Sequence, residues 1–117
     1  MAGGGKNRNR HSPLTVSMLE PALLVLLKEQ PRHGYTLLAS LESLGMGTLH
    51  PSMVYRTLRQ MEELEWIGSD WDTSQTQGPP RRIYSLTPLG EEVLENWQDE
   101  LEKVSSLISH LTNRLPE

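Results

Sequence analysis

His50–Ile67 reads H-P-S-M-V-Y-R-T-L-R-Q-M-E-E-L-E-W-I, and its spacing decides the fold. Pro51 suits the first position of a helix, where its missing N–H has no intrahelical partner to lose. Met53, Val54, Leu58, Met61 and Leu64 follow at intervals of three and four, the period of one helical face. Arg56 and Arg59 fall on another face, so this helix buries one stripe and offers two guanidinium groups on a second.

Two helical patterns precede it. From Thr15 to Glu29, Met18, Leu19, Leu23, Leu24, Leu26 and Leu27 recur at helical spacing; Pro21 is tolerable in or near a first turn, and Pro31 stops the helix. The next pattern runs from about Gly34 to Leu44, with Leu37, Leu38, Leu41 and Leu44 on one face and Gly45 and Gly47 supplying the exit. Downstream the period changes. Trp66 to Asp72 and Arg82 to Leu86 roughly alternate apolar and polar residues around T-S-Q-T-Q-G-P-P, which predicts a two-stranded hairpin with a long polar tip. Thr87 and Pro88 form an N-cap and first-turn pair. Apolar residues then recur every three or four positions through Leu115, predicting a helix from Pro88 to Arg114 about 40 Å long.

Three helices, a hairpin and a trailing helix is the element order of a winged helix-turn-helix, in which the third helix enters the DNA major groove and the hairpin lies along the backbone or minor groove. The fold class is mostly α with a small β-hairpin (α+β). Residues 1–13 are expected to be a disordered basic arm, 14–86 the winged helix-turn-helix domain and 87–117 a C-terminal dimerisation helix.

Composition excludes several function classes. The 117 residues include no Cys, which removes disulfides, thiolate metal sites and cysteine nucleophiles. No apolar run approaches the ~18 residues of a membrane span, and the first dozen residues lack the apolar stretch of a secretory signal, so a soluble, cytoplasmic protein with no membrane partner is expected. His11, His33, His50 and His110 have no i,i+4 pairing, so no metal is expected. No catalytic motif is present, and neither a cofactor nor enzymatic activity is expected. The net charge of −4 argues against nucleic acid, but its distribution matters more: residues 1–12 carry +3 and residues 87–117 carry −5.

Three stretches in order, H-G-Y-T-L-L (His33–Leu38), the His50–Ile67 run and G-P-P-R-R-I-Y-S-L-T-P-L-G (Gly78–Gly90), resemble the PadR family of transcriptional regulators over roughly residues 17 to 95. The resemblance implies a homodimeric winged-helix repressor of double-stranded DNA. It also implies dimerisation through the C-terminal helix and, in a number of members, a small hydrophobic effector that releases DNA. Two positions depart from the family pattern. Met53 stands where a small or hydroxyl residue is common, and Glu65 stands where Gly is usual, so Glu65 must adopt a different C-cap or bear left-handed strain.

At DNA, Arg56 and Arg59 are expected to meet bases or phosphates, with Glu62 and Glu63 near enough to compete for Arg59. His50 and Ser52 stand at the helix start, where phosphate contact and ordinary capping are both open. Arg81 and Arg82 follow Gly78-Pro79-Pro80, a stiff turn that presents them to phosphate, and Gln75, Thr76 and Gln77 could add neutral contacts. Tyr35 and Tyr55 are expected mainly to pack in the core, with hydroxyls able to reach a phosphate, while Tyr84 is a hairpin core residue. Trp71 is expected to pack and Trp66 to be partly exposed. Leu94, Trp97, Leu101, Val104, Ile108 and Leu111 form the expected dimer seam, and Trp97 is also the candidate effector-binding residue. The alternative function is a winged-helix protein–protein interaction module that does not bind DNA.

Overall fold

The computed structural model describes residues 13–74 and 78–116, so the basic arm before Pro13 and the Gln75, Thr76 and Gln77 tip lie outside the described residues. Where the spacing predicts one helix from Thr15 to Glu29, there are two, α1 (Pro13–Ser17) and α2 (Leu19–Glu29). Pro21 is the cause: it has no N–H to return to the Ser17 carbonyl, so the ladder is interrupted at Met18 and restarts with the Ala22 N–H on the Met18 carbonyl at 3.0 Å. Pro13, assigned by composition to the arm, opens α1. Helix α2 is the centre of the core, burying Leu19, Leu23, Leu24, Leu26 and Leu27.

Pro31 ends α2, and the next two residues form a strand the period could not reveal, β1 (Arg32–His33). Arg32 holds the junction: its guanidinium donates to the Leu26 carbonyl at 3.1 Å, the Ser40 hydroxyl at 3.2 Å and the Glu29 carboxylate at 2.6 Å. Helix α3 (Gly34–Leu41) buries Leu37 and Leu41, then continues through a widened, π-type turn, Glu42–Met46, that ends with Gly45 at φ 93°. The wider turn carries Leu44 off the core face, where the sequence spacing had placed it, and leaves it exposed; Met46 and Leu49 are buried instead. Helix α4 (Pro51–Glu63) buries Val54, Leu58 and Met61, with Met53 half-buried against the same cluster.

Helix α4 ends at a left-handed residue, Glu65 (φ 65°). The Trp66 N–H reaches the Met61 carbonyl and the Glu65 N–H that of Glu62, both at 3.0 Å, the pair of bonds of a Schellman cap. A glutamate in that conformation bears ~1–2 kcal/mol of strain that glycine would not. Strands β2 (Ile67–Asp72) and β3 (Arg81–Leu86) form the wing. The sheet is three-stranded, not the expected two, in the order β1-β3-β2 and antiparallel throughout. By covering part of β3, β1 shortens an edge otherwise free to pair with other chains.

The last element, α5 (Pro88–Arg114), starts from a corner it shares with α4 and β2. The Thr87 Oγ1 accepts from the Gly90 N–H at 3.0 Å and lies 2.7 Å and 2.9 Å from the Glu65 and Trp66 carbonyls, either of which can take its proton. A Cβ at Gly90 would sit 2.0 Å from the Trp66 carbonyl oxygen. The first turns of α5 rest on the core through half-buried Val93, Leu94 and Trp97, and Lys28 of α2 pairs with Glu91 at 2.8 Å. Helix propensity alone makes Gly90→Ala stabilising by ~1 kcal/mol. The backbone clash reverses the sign, and urea denaturation is expected to show a loss of about 2–3 kcal/mol; an unchanged or raised midpoint would show that this contact is not so close in solution.

Candidate nucleic-acid interface

Helix α4 presents Ser52, Tyr55, Arg56 and Arg59 along one exposed stripe, opposite buried Val54, Leu58 and Met61. Among the described residues neither arginine forms an ion pair or hydrogen bond. The spacing allowed Glu62 to neutralise Arg59, but Glu62 is engaged elsewhere: it accepts from the Ser69 hydroxyl and lies 3.8 Å from Arg82. His50 is the N-cap, and its carbonyl accepts from Met53 N–H at 2.9 Å while its imidazole makes no cap bond. The Ser52 hydroxyl is likewise exposed and makes no hydrogen bond among the described residues. Met53 packs against the core.

The wing divides its two arginines. In the register, Arg81 lies opposite Asp72 and Arg82 opposite Trp71, and the pleat turns successive side chains to opposite faces. Arg82 therefore shares a face with Ser69, Trp71 and Tyr84. Its guanidinium stands 4.6 Å from the centroid of the Trp71 ring and donates to the Ser69 Oγ at 2.6 Å. An exposed cation–π contact contributes ~0.5–1 kcal/mol, enough to bias the rotamer. Of the five N–H donors of a guanidinium this uses one, so Arg82 is held in place with most of its donors free. Trp71, expected to pack inward, is 60% exposed because its strand extends past the body of the domain, and the arginine covers one side of the ring. Trp66 is half-buried, as expected.

Asp72 ties the tip-side end of β2 to the start of α3. Its Oδ2 lies 2.8 Å from His33 Nε2, and its Oδ1 accepts from the Ser74 hydroxyl at 2.6 Å and the Ser74 N–H at 3.0 Å. The Ser74 bonds, then His33, lower its carboxyl from the ordinary 3.8 to about 2. Glu62 and Asp72 thus each have a hydroxyl partner, whereas Asp70 on β2 has no partner among the described residues.

Tyr35 departs furthest from expectation. It stands in the first turn of α3, 75% exposed, instead of packing in the core. Leu37 and Leu41 take the buried face of that short helix and leave Tyr35 on the other side. Tyr55 is also exposed, and its ring lies over Gly34, where an added Cβ would come within 2.8 Å of the ring edge. Tyr35, Tyr55, Arg81 and Arg82 come together with His33, Gly34 and Tyr84 around one cleft of about 220 Å³. Tyr84, expected only in the hairpin core, is buried but also lines this cleft. The strand alternation that puts Tyr84 beside Arg82 was the available signal.

Of the expected seam residues, Leu94 and Trp97 rest partly on their own chain's core, and Leu101 and Val104 are half-buried. Ile108 and Leu111 are 50% and 55% exposed on the free end of α5. Trp97 borders a shallow depression with Val93, Asn96 and Glu100, and a separate apolar groove of about 330 Å³ runs between Val25 of α2 and Leu94 and Leu101 of α5. Among the described residues no cluster of His, Asp and Glu could hold a metal ion, and no helix is long and apolar enough to cross a membrane.

No curated protein matches the chain. Among solved structures, the fold is similar to a PadR-like transcriptional regulator from Bacillus cereus, with 25% identity and a TM-score of 0.78 over 86% of this chain and 97% of that one. It is similar to a PadR family regulator from Eggerthella lenta, with 25% identity and a TM-score of 0.72 over 87% and 88% of the two chains. A transcriptional regulator from Thermoplasma acidophilum shares the fold, with 22% identity and a TM-score of 0.78 over 90% and 100%. Residues 23–96 match the model of the transcriptional regulator PadR-like family. The chain belongs to the PadR-like family of transcriptional regulators.

Proposed function

We propose that the protein is a cytoplasmic, sequence-specific repressor that binds a pseudo-palindromic operator as a homodimer. The observation that carries this reading is the pair Arg56 and Arg59, exposed on α4 with no acidic partner among the described residues in a chain of net charge −4. Arg56 and Arg59 enter the major groove with Ser52 and His50 at the helix start near phosphate, while Arg82, braced on Trp71, meets the backbone beside it. Arg81, which lines the same cleft from the neighbouring position, adds a second cation there.

The dimer forms through the outer stripe of α5. Leu101, Val104, Ile108 and Leu111, with Leu94 and Trp97 at its root, line up at intervals of three and four, and burying exposed leucines against a second copy removes ~1.5–3 kcal/mol per side chain from water. Twofold symmetry then sets the two α4 helices on half-sites about one turn, ~34 Å, apart. A small hydrophobic effector near Trp97 acts only if it prefers one spacing of the reading heads over the other.

Two measurements test this reading. Binding to a random duplex across a salt series is expected to weaken steeply, and Arg82→Ala to weaken all sequences evenly and lower the log–log slope by about one per contact, while Arg56→Ala relaxes discrimination at one base pair by ~1–3 kcal/mol. A flat salt response would favour a protein-interaction module instead. Changing both Leu101 and Ile108 to Glu is expected to give a monomer in sedimentation; an intact dimer would contradict the α5 interface.

A further inference from the structure

The cleft between α3 and the wing carries a feature that packing does not explain. Tyr84 is a core residue, only 8% exposed, yet its hydroxyl has no hydrogen-bond partner among the described residues. No buried side-chain polar atom there is both unpartnered and sealed from solvent, so this oxygen keeps an opening, and the cleft is what Tyr84 lines. Such a hydroxyl is hydrated in the free protein and can exchange that water for an acceptor entering the cleft.

The surroundings define what that is. Helix α3 begins at Gly34 with no side-chain cap, because the imidazole of its N-cap His33 is taken by Asp72. Its first N–H groups therefore lack side-chain acceptors at the positive end of the helix dipole. The absence of a Cβ at Gly34 lets the Tyr55 ring, and with it a second hydroxyl, lie against that first turn. Arg82 supplies positive charge from the wing, with Glu62, which accepts from Ser69, 3.8 Å from its guanidinium. Backbone donors, three tyrosines and two arginines, with no carboxylate among the lining residues, match a phosphate, which has three or more acceptor oxygens and negative charge.

We propose that this cleft is a socket for a single phosphate of the DNA backbone, with the Tyr84 hydroxyl as its deepest donor. The proposal rests on the DNA-binding reading above and assigns Tyr84 a part in it. Burial, and secondarily the charge of Glu62, raises the Tyr84 phenol above its ordinary 10.0, so at neutral pH it keeps the proton it must donate. The socket joins α3, α4 and the wing on one phosphate, so it sets the depth and tilt of α4 in the groove. It carries no base preference of its own.

Tyr84→Phe removes this one oxygen and leaves the ring. Duplex affinity is expected to drop roughly tenfold for random and preferred sequences alike, as for a lost hydrogen bond to a charged acceptor. The salt slope should stay unchanged, since a neutral donor releases no counterion. Thermal stability should be unaltered, because no intramolecular bond is lost. Gly34→Ala, which displaces Tyr55, should weaken binding in the same way and gives a second test if the first variant folds poorly. Wild-type affinity in both variants, with Arg82→Ala still weakened, would overturn the socket while leaving DNA binding intact. A flat salt response in the unaltered protein would overturn both. Titration with inorganic phosphate separates the two sources of the group: saturable shifts of the Gly34 and Tyr35 amides in a protein that ignores duplex would reassign the cleft to a free anion and overturn its assignment to DNA.

Discussion

The structure depends on one close contact, the backbone of Gly90 against the carbonyl of Trp66, with the Thr87 hydroxyl bridging beside it. Three elements meet there: the Schellman end of α4, the root of the wing and the first turn of α5. Because the contact is between backbones, no side-chain rotation can absorb a change in it. The direction of the long helix, the tilt of α4 and the angle of the wing are consequently set together. Packing of this kind couples the position of α5 to α4 and the wing without any dedicated relay.

The same economy governs charge. In a chain of net −4, two of the acids beside the arginines are already bound, while Glu63 and Asp70 are not. Glu62 is held by Ser69 and faces Arg82, and Asp72 is held by Ser74 and His33. Arg56 and Arg59 are left unpaired. Much of the acid lies instead along α5, where Glu91 pairs with Lys28 across the base of the helix. Net charge reports solubility and long-range repulsion, but the local balance within a Debye length of ~8–10 Å governs what a phosphate meets.

Much of this was legible in the sequence. Period and punctuation marked α3, α4, the wing and α5, and the Thr87-Pro88 start of α5 follows from capping chemistry. What escaped did so for identifiable reasons. A two-residue strand such as β1 is too short to have a period, and its existence depends on β3 having a free edge. The widened turn after Leu41 rotated Leu44 outward, which spacing by 3.6 cannot foresee. Pro21 was tolerated inside α2 only by breaking the helix at Met18. Tyr35 and Trp71 look like core by composition, and whether an aromatic packs depends on what lies opposite: for Tyr35 solvent, for Trp71 a guanidinium. Within the candidate site, α4's exposed arginines follow from helical geometry, whereas the bracing of Arg82 and the opening at Tyr84 required knowledge of the strand register.

The proposed duplex-binding surface joins the exposed stripe of α4, the start of α3 and the inner face of the wing. Amide correlation spectra recorded during titration with a short random duplex test it most directly. Shifts are expected to concentrate on residues 33–36, 52–59 and 81–84, with the acidic residues 91–102 of α5 largely unmoved. Shifts confined to α5, or an absence of saturable shifts at low salt, would contradict the account.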